Sequence, residues 1–416
     1  MTSYFKMEDL KYDRILTFFV QVATLCIFLP YISPFPISSD TQPLAIVICT
    51  LTIVFIFSSQ TVKMKPIKIP YISMFSALSC GYVVSLSLIY GSFELRGIAS
   101  YISLLVFSMF GSIIAVRPHM IKAPLLLAAV LWLVVGVAQL LLSKDFGTIF
   151  QHRATSSISR GVVSLASEPS HYSMMCVLLI VFLDIYKTRI RNLSPWVLKL
   201  QITFGIQILF LSRSTFGILA LLLWIFIKIY LSFKKKMIST VLISIVFAFS
   251  VYVAKKMNLH HEFRLVYLVS EIIENISEPQ YIFIKDASAN ARAADIIIST
   301  YSFFESIPLP IGHGLGTWKD YLGSADENFD YLWHIVPGSN RIMSGYGGLL
   351  YEVGLLGFIL IISIFFSLYR LGSPEVKVAA VFLTIFMFTA VPIATPIFGF
   401  IVGFGSCYFA KQSDTG

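Results

Sequence analysis

Five arginines stand out in an otherwise apolar chain, because each lies beside an apolar segment or in a connection between two of them. They are Arg153, Arg160, Arg213, Arg292 and Arg341. The planar guanidinium donates two parallel hydrogen bonds and keeps its charge, which suits it to bind phosphate oxygens. Arginines at the ends of membrane segments also extend to lipid headgroups. That second explanation fits Arg213 least well, since its connection is only a few residues long.

Glu168 is the most informative acidic residue, because it lies inside an apolar run that extends from residue 161 to 186. A charged side chain at the centre of a membrane helix costs about 2.5–3.5 kcal/mol, so it requires a partner or a water-filled cavity. Pro169 beside it is expected to loosen the helix. Glu168 is therefore expected to be an active-site carboxylate, as general base or as orienter of the arginines, or else to form a structural ion pair with one of them.

Other polar side chains near these residues are further candidates. Ser170 and His171 follow Glu168 closely, and His171 suits either a hydrogen bond to Glu168 or packing between helices. His313 lies between two glycines, which suits either close approach of the backbone to a ligand or a plain tight turn. Glu352 is a second carboxylate inside an apolar run. Since no metal-ligand spacing or phosphate-loop motif occurs, we expect neither a metal nor another cofactor.

The elements that must position these residues are apolar runs of membrane-spanning length. Hydrophobic residues make up 57% of the 416 residues and the mean hydropathy is +0.81. Because about 20 apolar residues cross a bilayer core as a helix, the sequence predicts an all-α polytopic membrane protein with about twelve transmembrane helices. The predicted spans are 15–33, 43–59, 70–91, 98–116, 121–142, 161–186, 196–212, 216–233, 237–254, 344–369, 375–394 and 396–411.

The net charge of +9 is best explained by membrane topology. Placing both termini in the cytoplasm puts most of the 31 lysines and arginines in cytoplasmic connections, as the positive-inside rule requires of short loops. A nucleic-acid partner is therefore not expected. The same topology puts the five arginines on the outer side, where they can converge.

The chain divides into four predicted regions. Residues 1–142 form a scaffold of transmembrane helices 1–5, and residues 143–254 contain helices 6–9 with site residues at their outer ends. Residues 255–343 form one large helical extracytoplasmic loop, and residues 344–416 contain helices 10–12. A helix that carries Arg292 and Asp295 is predicted within the large loop.

Four short motifs in this order resemble the bacterial O-antigen and capsule polymerases of the Wzy type. They are Ser167-Glu168-Pro169-Ser170, Leu211-Ser212-Arg213-Ser214, the Arg292 helix leading to Pro310-Ile-Gly312-His-Gly-Leu-Gly316, and Leu350-Tyr-Glu352-Val-Gly354-Leu-Leu-Gly357. The resemblance covers roughly residues 150–357. The number of spans and the single dominant outer loop are similar as well.

The resemblance implies a GT-C-like glycosyltransferase in the bacterial inner membrane. Such an enzyme transfers a glycan as a block from undecaprenyl pyrophosphate to the free end of an acceptor repeat at the periplasmic face. It implies catalytic roles for Glu168, Arg213, Arg292 and His313. It also implies contacts between the pyrophosphate or glycan and a second set of residues, namely Arg153, Arg160, Ser170, His171, Arg341 and Glu352. The expected partners are the lipid-linked donor and acceptor, membrane lipids and a chain-length regulator protein.

Two alternatives remain open. O-antigen ligases resemble this architecture but carry a His-Asn pair before the span with the Glu-x-Gly motif, where this chain has Arg341-Ile-Met-Ser344 and no histidine. A flippase for lipid-linked oligosaccharides, or another transporter, is expected to place ionisable groups near the bilayer midplane, whereas these cluster at the outer edge.

Overall fold

The computed structural model describes residues 2–32, 43–58, 71–92, 94–151, 161–190, 195–232, 287–324, 332, 342–370, 373–389 and 391–407. Throughout this part of the chain the regular secondary structure is helical, without a strand, which confirms the predicted all-α class. The α-helices are α1 Thr2–Phe28, α2 Leu44–Ser58, α3 Tyr71–Ile89, α4 Leu95–Ile114, α5 Lys122–Leu141, α6 Pro169–Lys187, α7 Pro195–Ile206, α8 Thr215–Ser232, α9 Ala287–Glu305, α10 Trp318–Ser324, α11 Gly345–Gly348, α12 Leu355–Tyr369, α13 Pro374–Met387 and α14 Pro396–Ser406.

Several of these helices have the length and composition of membrane spans. Within the described ranges five helical segments are long and apolar enough to cross a membrane, namely Tyr71–Ile89, Leu95–Ile114, Pro118–Leu141, Pro169–Lys187 and Pro195–Ser212. Five shorter apolar helical stretches accompany them, including Thr215–Leu231 and Leu355–Tyr369. The predicted span 237–254 lies outside the described residues. The helices thus agree with the membrane character that the composition predicts.

Helix α6 is the central helix of the bundle. Of the residues in the apolar stretch of α6, 89% are buried, whereas in the other four long segments the share of buried residues is 33–61%. Phe182 on α6 packs against Phe28 of α1 and against Phe400 and Phe404 of α14, with ring centroids 5.3–5.6 Å apart. Because α6 is surrounded by protein, its two ends are held at fixed positions, and each end carries charged residues.

Helix α6 begins later than predicted, at Pro169. The expectation that Glu168 lies inside a membrane helix is therefore wrong, since residues 161–168 are irregular and Glu168 is the residue that precedes the helix. Proline has a fixed φ and lacks an N–H, which suits the first position of a helix, so here it starts the helix where loosening was expected.

The predicted span 344–369 is also interrupted. Helix α11 continues through a wide π-type turn, Leu349–Val353, and then breaks at Gly354, whose φ is 65° and ψ −131°. That backbone conformation is open to glycine but strained for other residues. Helix α12 starts directly afterwards. The broken region is covered by α9, the helix predicted to carry Arg292 and Asp295, because Gly347 packs against the Asp295 carbonyl group.

Candidate active site at the start of helix α8

Arg213 lies in a tight connection between two helices. Helix α7 ends in a π-type turn, Gln207–Ser212, and Arg213 follows in the left-handed conformation with φ 46° before α8 begins. A residue other than glycine in this conformation is uncommon, costs on the order of 1–3 kcal/mol and is found preferentially at functional sites. The side chain is exposed, and its Nε donates to the Phe210 carbonyl oxygen at 3.3 Å. Arg213 therefore sits where two helices meet, as its short connection predicts.

The segment 161–168 packs directly against this connection. The Val162 N–H donates to the Leu211 carbonyl oxygen at 2.9 Å, and Gly161 lies so close to the Ser212 carbonyl group that a side chain would overlap it. Ser164, itself in the left-handed region with φ 51°, is clamped from α5 by Gln139. Its N–H donates to Gln139 Oε1 at 2.6 Å, and Gln139 Nε2 donates back to its carbonyl oxygen at 2.9 Å. These bonds satisfy the backbone of a buried irregular segment.

Glu168 ends this segment at the entrance to α6. Its carboxylate is partly buried and accepts a hydrogen bond from Ser170 Oγ at 3.1 Å. His171 is oriented separately, since its Nδ1 is 2.7 Å from Ser167 Oγ and its ring stacks on Tyr31 at 5.5 Å. Both alternatives for Glu168 place it near the arginines, and the packing of α6 on α8 shows how close its helix comes to Arg213.

Helices α6 and α8 touch at Gly217 and Ser173. A Cβ atom added to Gly217 would overlap both the Cβ and the Oγ of Ser173. Ser173 is one turn after Ser170, and Gly217 is one turn after Arg213. This close crossing therefore brings the first turn of α6, with Ser170, alongside the connection that carries Arg213.

Arg292 reaches the same place from α9. Its guanidinium carbon lies 4.8 Å from the centre of the Phe216 ring, which in turn stacks on Phe386 at 5.3 Å. An arginine over an aromatic face gains a cation–π attraction and keeps its fork of donors in a defined orientation. Phe216 is three residues after Arg213, so both arginines border the start of α8. We call Glu168, Ser170, Arg213 and Arg292 the arginine site.

Asp295 contributes to the arginine site indirectly, by fixing α9. Its side chain is 6% exposed and accepts from the Met343 N–H at 2.7 Å. Burial raises the pKa of Asp295 from 3.8 to about 7, although N–H groups of Met343 and Ser344 and the charge of Arg292 oppose the rise. Asp295 thus ties the Arg292 helix to the chain that enters α11. An acid one turn after Arg292 was the sequence signal for this role.

His313 and Glu352 lie in a different place. The glycine-flanked loop packs on the π-type turn after α11, where the His313 N–H donates to the Tyr351 carbonyl oxygen at 2.8 Å. The His313 ring stacks on Tyr351 at 4.6 Å, and burial lowers its pKa from 6.5, which favours the neutral imidazole. Glu352 accepts from the Tyr101 hydroxyl at 2.7 Å. Both residues bind this loop region to the bundle, and Tyr101 was not singled out from the sequence.

His313 and the arginine site lie near different positions along α9. His313 Nδ1 is 3.5 Å from Ser302 Oγ, and Ser302 is ten residues after Arg292. At 1.5 Å per residue, the two backbone positions are about 15 Å apart. The convergence expected of all the candidates is therefore only partial, because His313 and Glu352 do not share one reacting centre with the arginine site. Arg153, Arg160 and Arg341 lie outside the described residues.

The arginine site is suited to bind an anion. Arg213 and Arg292 both border the start of α8, which packs beside the first turn of α6, and helix N-termini carry partial positive charge. Glu168 adds a carboxylate that can orient a guanidinium or accept a proton. Among the described side chains, no three His, Cys, Asp or Glu gather to hold a metal ion. Comparisons with protein-family models and with curated proteins give no match.

Proposed function

We propose that this chain is an integral membrane glycosyltransferase that polymerises lipid-linked oligosaccharide repeats. The donor is a glycan on undecaprenyl pyrophosphate, transferred as a block to the free end of a second lipid-linked repeat. The observation that carries the proposal is the position of Arg292 over Phe216, three residues from Arg213 and beside the first turn of α6. The motif order that resembles the Wzy-type polymerases supports the same reaction.

The proposed reaction assigns a role to each member of the arginine site. An acceptor hydroxyl attacks the anomeric carbon of the donor glycan while the bond to the pyrophosphate oxygen breaks. Arg213 and Arg292 stabilise the negative charge that develops on the leaving pyrophosphate, a type of interaction worth about 2.7–4 kcal/mol per donor in other enzymes. Glu168 takes the acceptor proton or holds one guanidinium in place, and Ser170 orients its carboxylate through their 3.1 Å hydrogen bond.

The exposed side chains around Arg213 support binding of the lipid-linked donor at this site. Arg213 is exposed, while the π-type turn before it presents Leu209 and Phe210 at 43% and 62% exposure. An apolar surface next to a guanidinium matches a substrate that joins a polyprenyl chain to a pyrophosphate. The full proposal places about twelve spans in the bacterial inner membrane in a GT-C-like arrangement, with both termini cytoplasmic and the arginine site at the periplasmic face.

Surface glycan analysis of a strain that lacks the protein tests this function against its alternatives. A polymerase null should leave single repeats attached to the outer-membrane acceptor. Full-length polymer retained on the carrier lipid would instead indicate a ligase, and repeats trapped at the cytoplasmic face would indicate a flippase. Expression of the wild-type chain in the same strain should restore the long-chain polymer, which attributes the defect to this protein.

A further inference from the structure

A cavity with charged residues in its wall lies where four helices end on the side away from the arginine site. It has a volume of about 320 Å³ and is bordered by Asp184 of α6, Lys228 of α8, Tyr369 of α12, and Glu375 and Lys377 of α13. Ligand pockets in proteins span about 300–1,000 Å³, so this cavity is large enough for one small polar group. None of its residues belongs to the arginine site.

The cavity is at the opposite edge of the bundle from the arginine site. Asp184 is sixteen residues after Glu168 in the chain, which corresponds to about 24 Å along α6. Helix α8 likewise runs from the arginine site to Lys228. With the arginine site at one face of the bilayer, as proposed above, and a hydrocarbon core about 30 Å thick, a cavity at this end is expected close to the lipid headgroups of the other leaflet.

The charges around the cavity favour a single negative charge on the ligand. Asp184 is buried and its carboxylate accepts from Lys187 at 2.5 Å and from Lys228 at 2.9 Å. Glu375 and Lys377 add one charge of each sign, so the four charged residues that border the cavity sum to zero. Lys187, which binds Asp184 without bordering the cavity, brings the net charge of the five side chains to +1. A phosphodiester, with its single negative charge, matches this excess.

The positions of the two lysines that border the cavity support a phosphate ligand. Asp184 fixes Lys228, which also lies 4.4 Å from the centre of the Trp224 ring. Lys377 is held over Tyr369 at 5.7 Å from across the cavity. Leu231 and Val378 complete the wall with apolar surface, which suits the glycerol and first methylene groups of a lipid. We propose that this cavity binds the phosphodiester headgroup of a membrane phospholipid.

Native mass spectrometry of the purified full-length protein, stripped of lipid and titrated with short-chain phosphatidylglycerol, tests this proposal. The wild-type protein should bind one lipid, and Lys377→Gln should weaken that binding about tenfold, as expected for loss of one charge-assisted hydrogen bond. Lys228→Gln should do the same. Lys199→Gln is the matched control, because Lys199 is an exposed lysine of α7 that does not border the cavity.

Two outcomes would overturn the proposal. Equal lipid binding by the wild type, Lys377→Gln and Lys199→Gln would remove the cavity as the site, and this comparison holds even if Lys228→Gln fails to fold. Inorganic phosphate that competes as well as the lipid at equal concentration would show a site for free phosphate. Because Lys377 lies at the end of the bundle opposite the arginine site, the lipid-binding result is independent of the proposed glycosyl transfer.

Discussion

The contact between Gly217 and Ser173 holds the two halves of the arginine site together, so enlarging it should misalign the site. The change is Gly217→Ala, which adds one methyl group at the crossing of α6 and α8. That methyl group would overlap the Cβ and Oγ of Ser173. Gly217 and Ser173 each lie within a helix, so a local backbone shift cannot relieve the overlap. We expect the two helices to move apart at this point.

The expected magnitude follows from the contact distance. Non-bonded carbon atoms need about 3.5–4.0 Å, so relief of the overlap requires a helix displacement on the order of 1 Å. Overpacking of this kind costs roughly 1–3 kcal/mol of stability. A misplacement of about 1 Å between reacting groups can cost on the order of 100-fold in rate. Gly217→Ala should therefore reduce polymer formation about 100-fold while part of the protein remains folded in the membrane.

The assay is the amount and length of surface polymer in a null strain that carries each variant, normalised to the protein level in the membrane. Gly205→Ala is the matched control, because a Cβ added at Gly205 meets no atom within 4 Å apart from the backbone of its own helix. Replacing Ser173 by glycine in the Gly217→Ala background returns the missing space and should restore polymer. Full activity of Gly217→Ala, or no recovery in the double variant, would refute the proposed role of this crossing.

Four further substitutions test individual side chains. Arg213→Ala and Arg292→Ala should abolish polymer at normal protein level, and lysine should rescue either poorly because it lacks the two-pronged fork; normal long chains from an alanine variant would remove that arginine from the site. Glu168→Gln should severely reduce polymerisation, whereas retained activity at reduced protein level would favour a structural ion pair. Asp295→Asn should flatten the pH dependence of thermal stability. Because the pKa of Asp295 is raised to about 7, protonation of this residue stabilises the folded protein near pH 4, by up to about 4 kcal/mol, and this stability is lost as the pH rises through about 7. A difference in melting temperature between the wild type and Asp295→Asn that is the same at pH 5 and at pH 8 would contradict this.

The sequence predicted the helical class and the approximate ends of most described apolar helices, because apolar runs of about 20 residues have few other structural solutions. It also placed Arg213 correctly between two helices, since the connection there is so short. The start of α6 could not be predicted in the same way. Residues 161–167 are mostly apolar, and they are held out of a helix by hydrogen bonds to residues distant in the chain, namely those between Gln139 and Ser164 and the bond from the Val162 N–H to the Leu211 carbonyl oxygen.

The separation of His313 from Arg292 also depends on contacts distant in sequence. The glycines around His313 allowed either a ligand-binding loop or a tight turn, and the structure shows the loop packed on the backbone of Tyr351. The length of α9 then sets the separation, and neither fact can be read from motif order alone. The contact of Arg292 with Phe216, 76 residues before it in the chain, could not be predicted from the sequence either.

Reconstitution of the purified chain in liposomes with undecaprenyl-pyrophosphate-linked repeats tests the central claim most directly. The proposed reaction predicts glycan chains of increasing length, with one undecaprenyl pyrophosphate released for each repeat added. Both signals should disappear with Arg292→Ala and persist with Gly205→Ala. Movement of intact lipid-linked repeats across the bilayer, without longer chains or released pyrophosphate carrier, would contradict it.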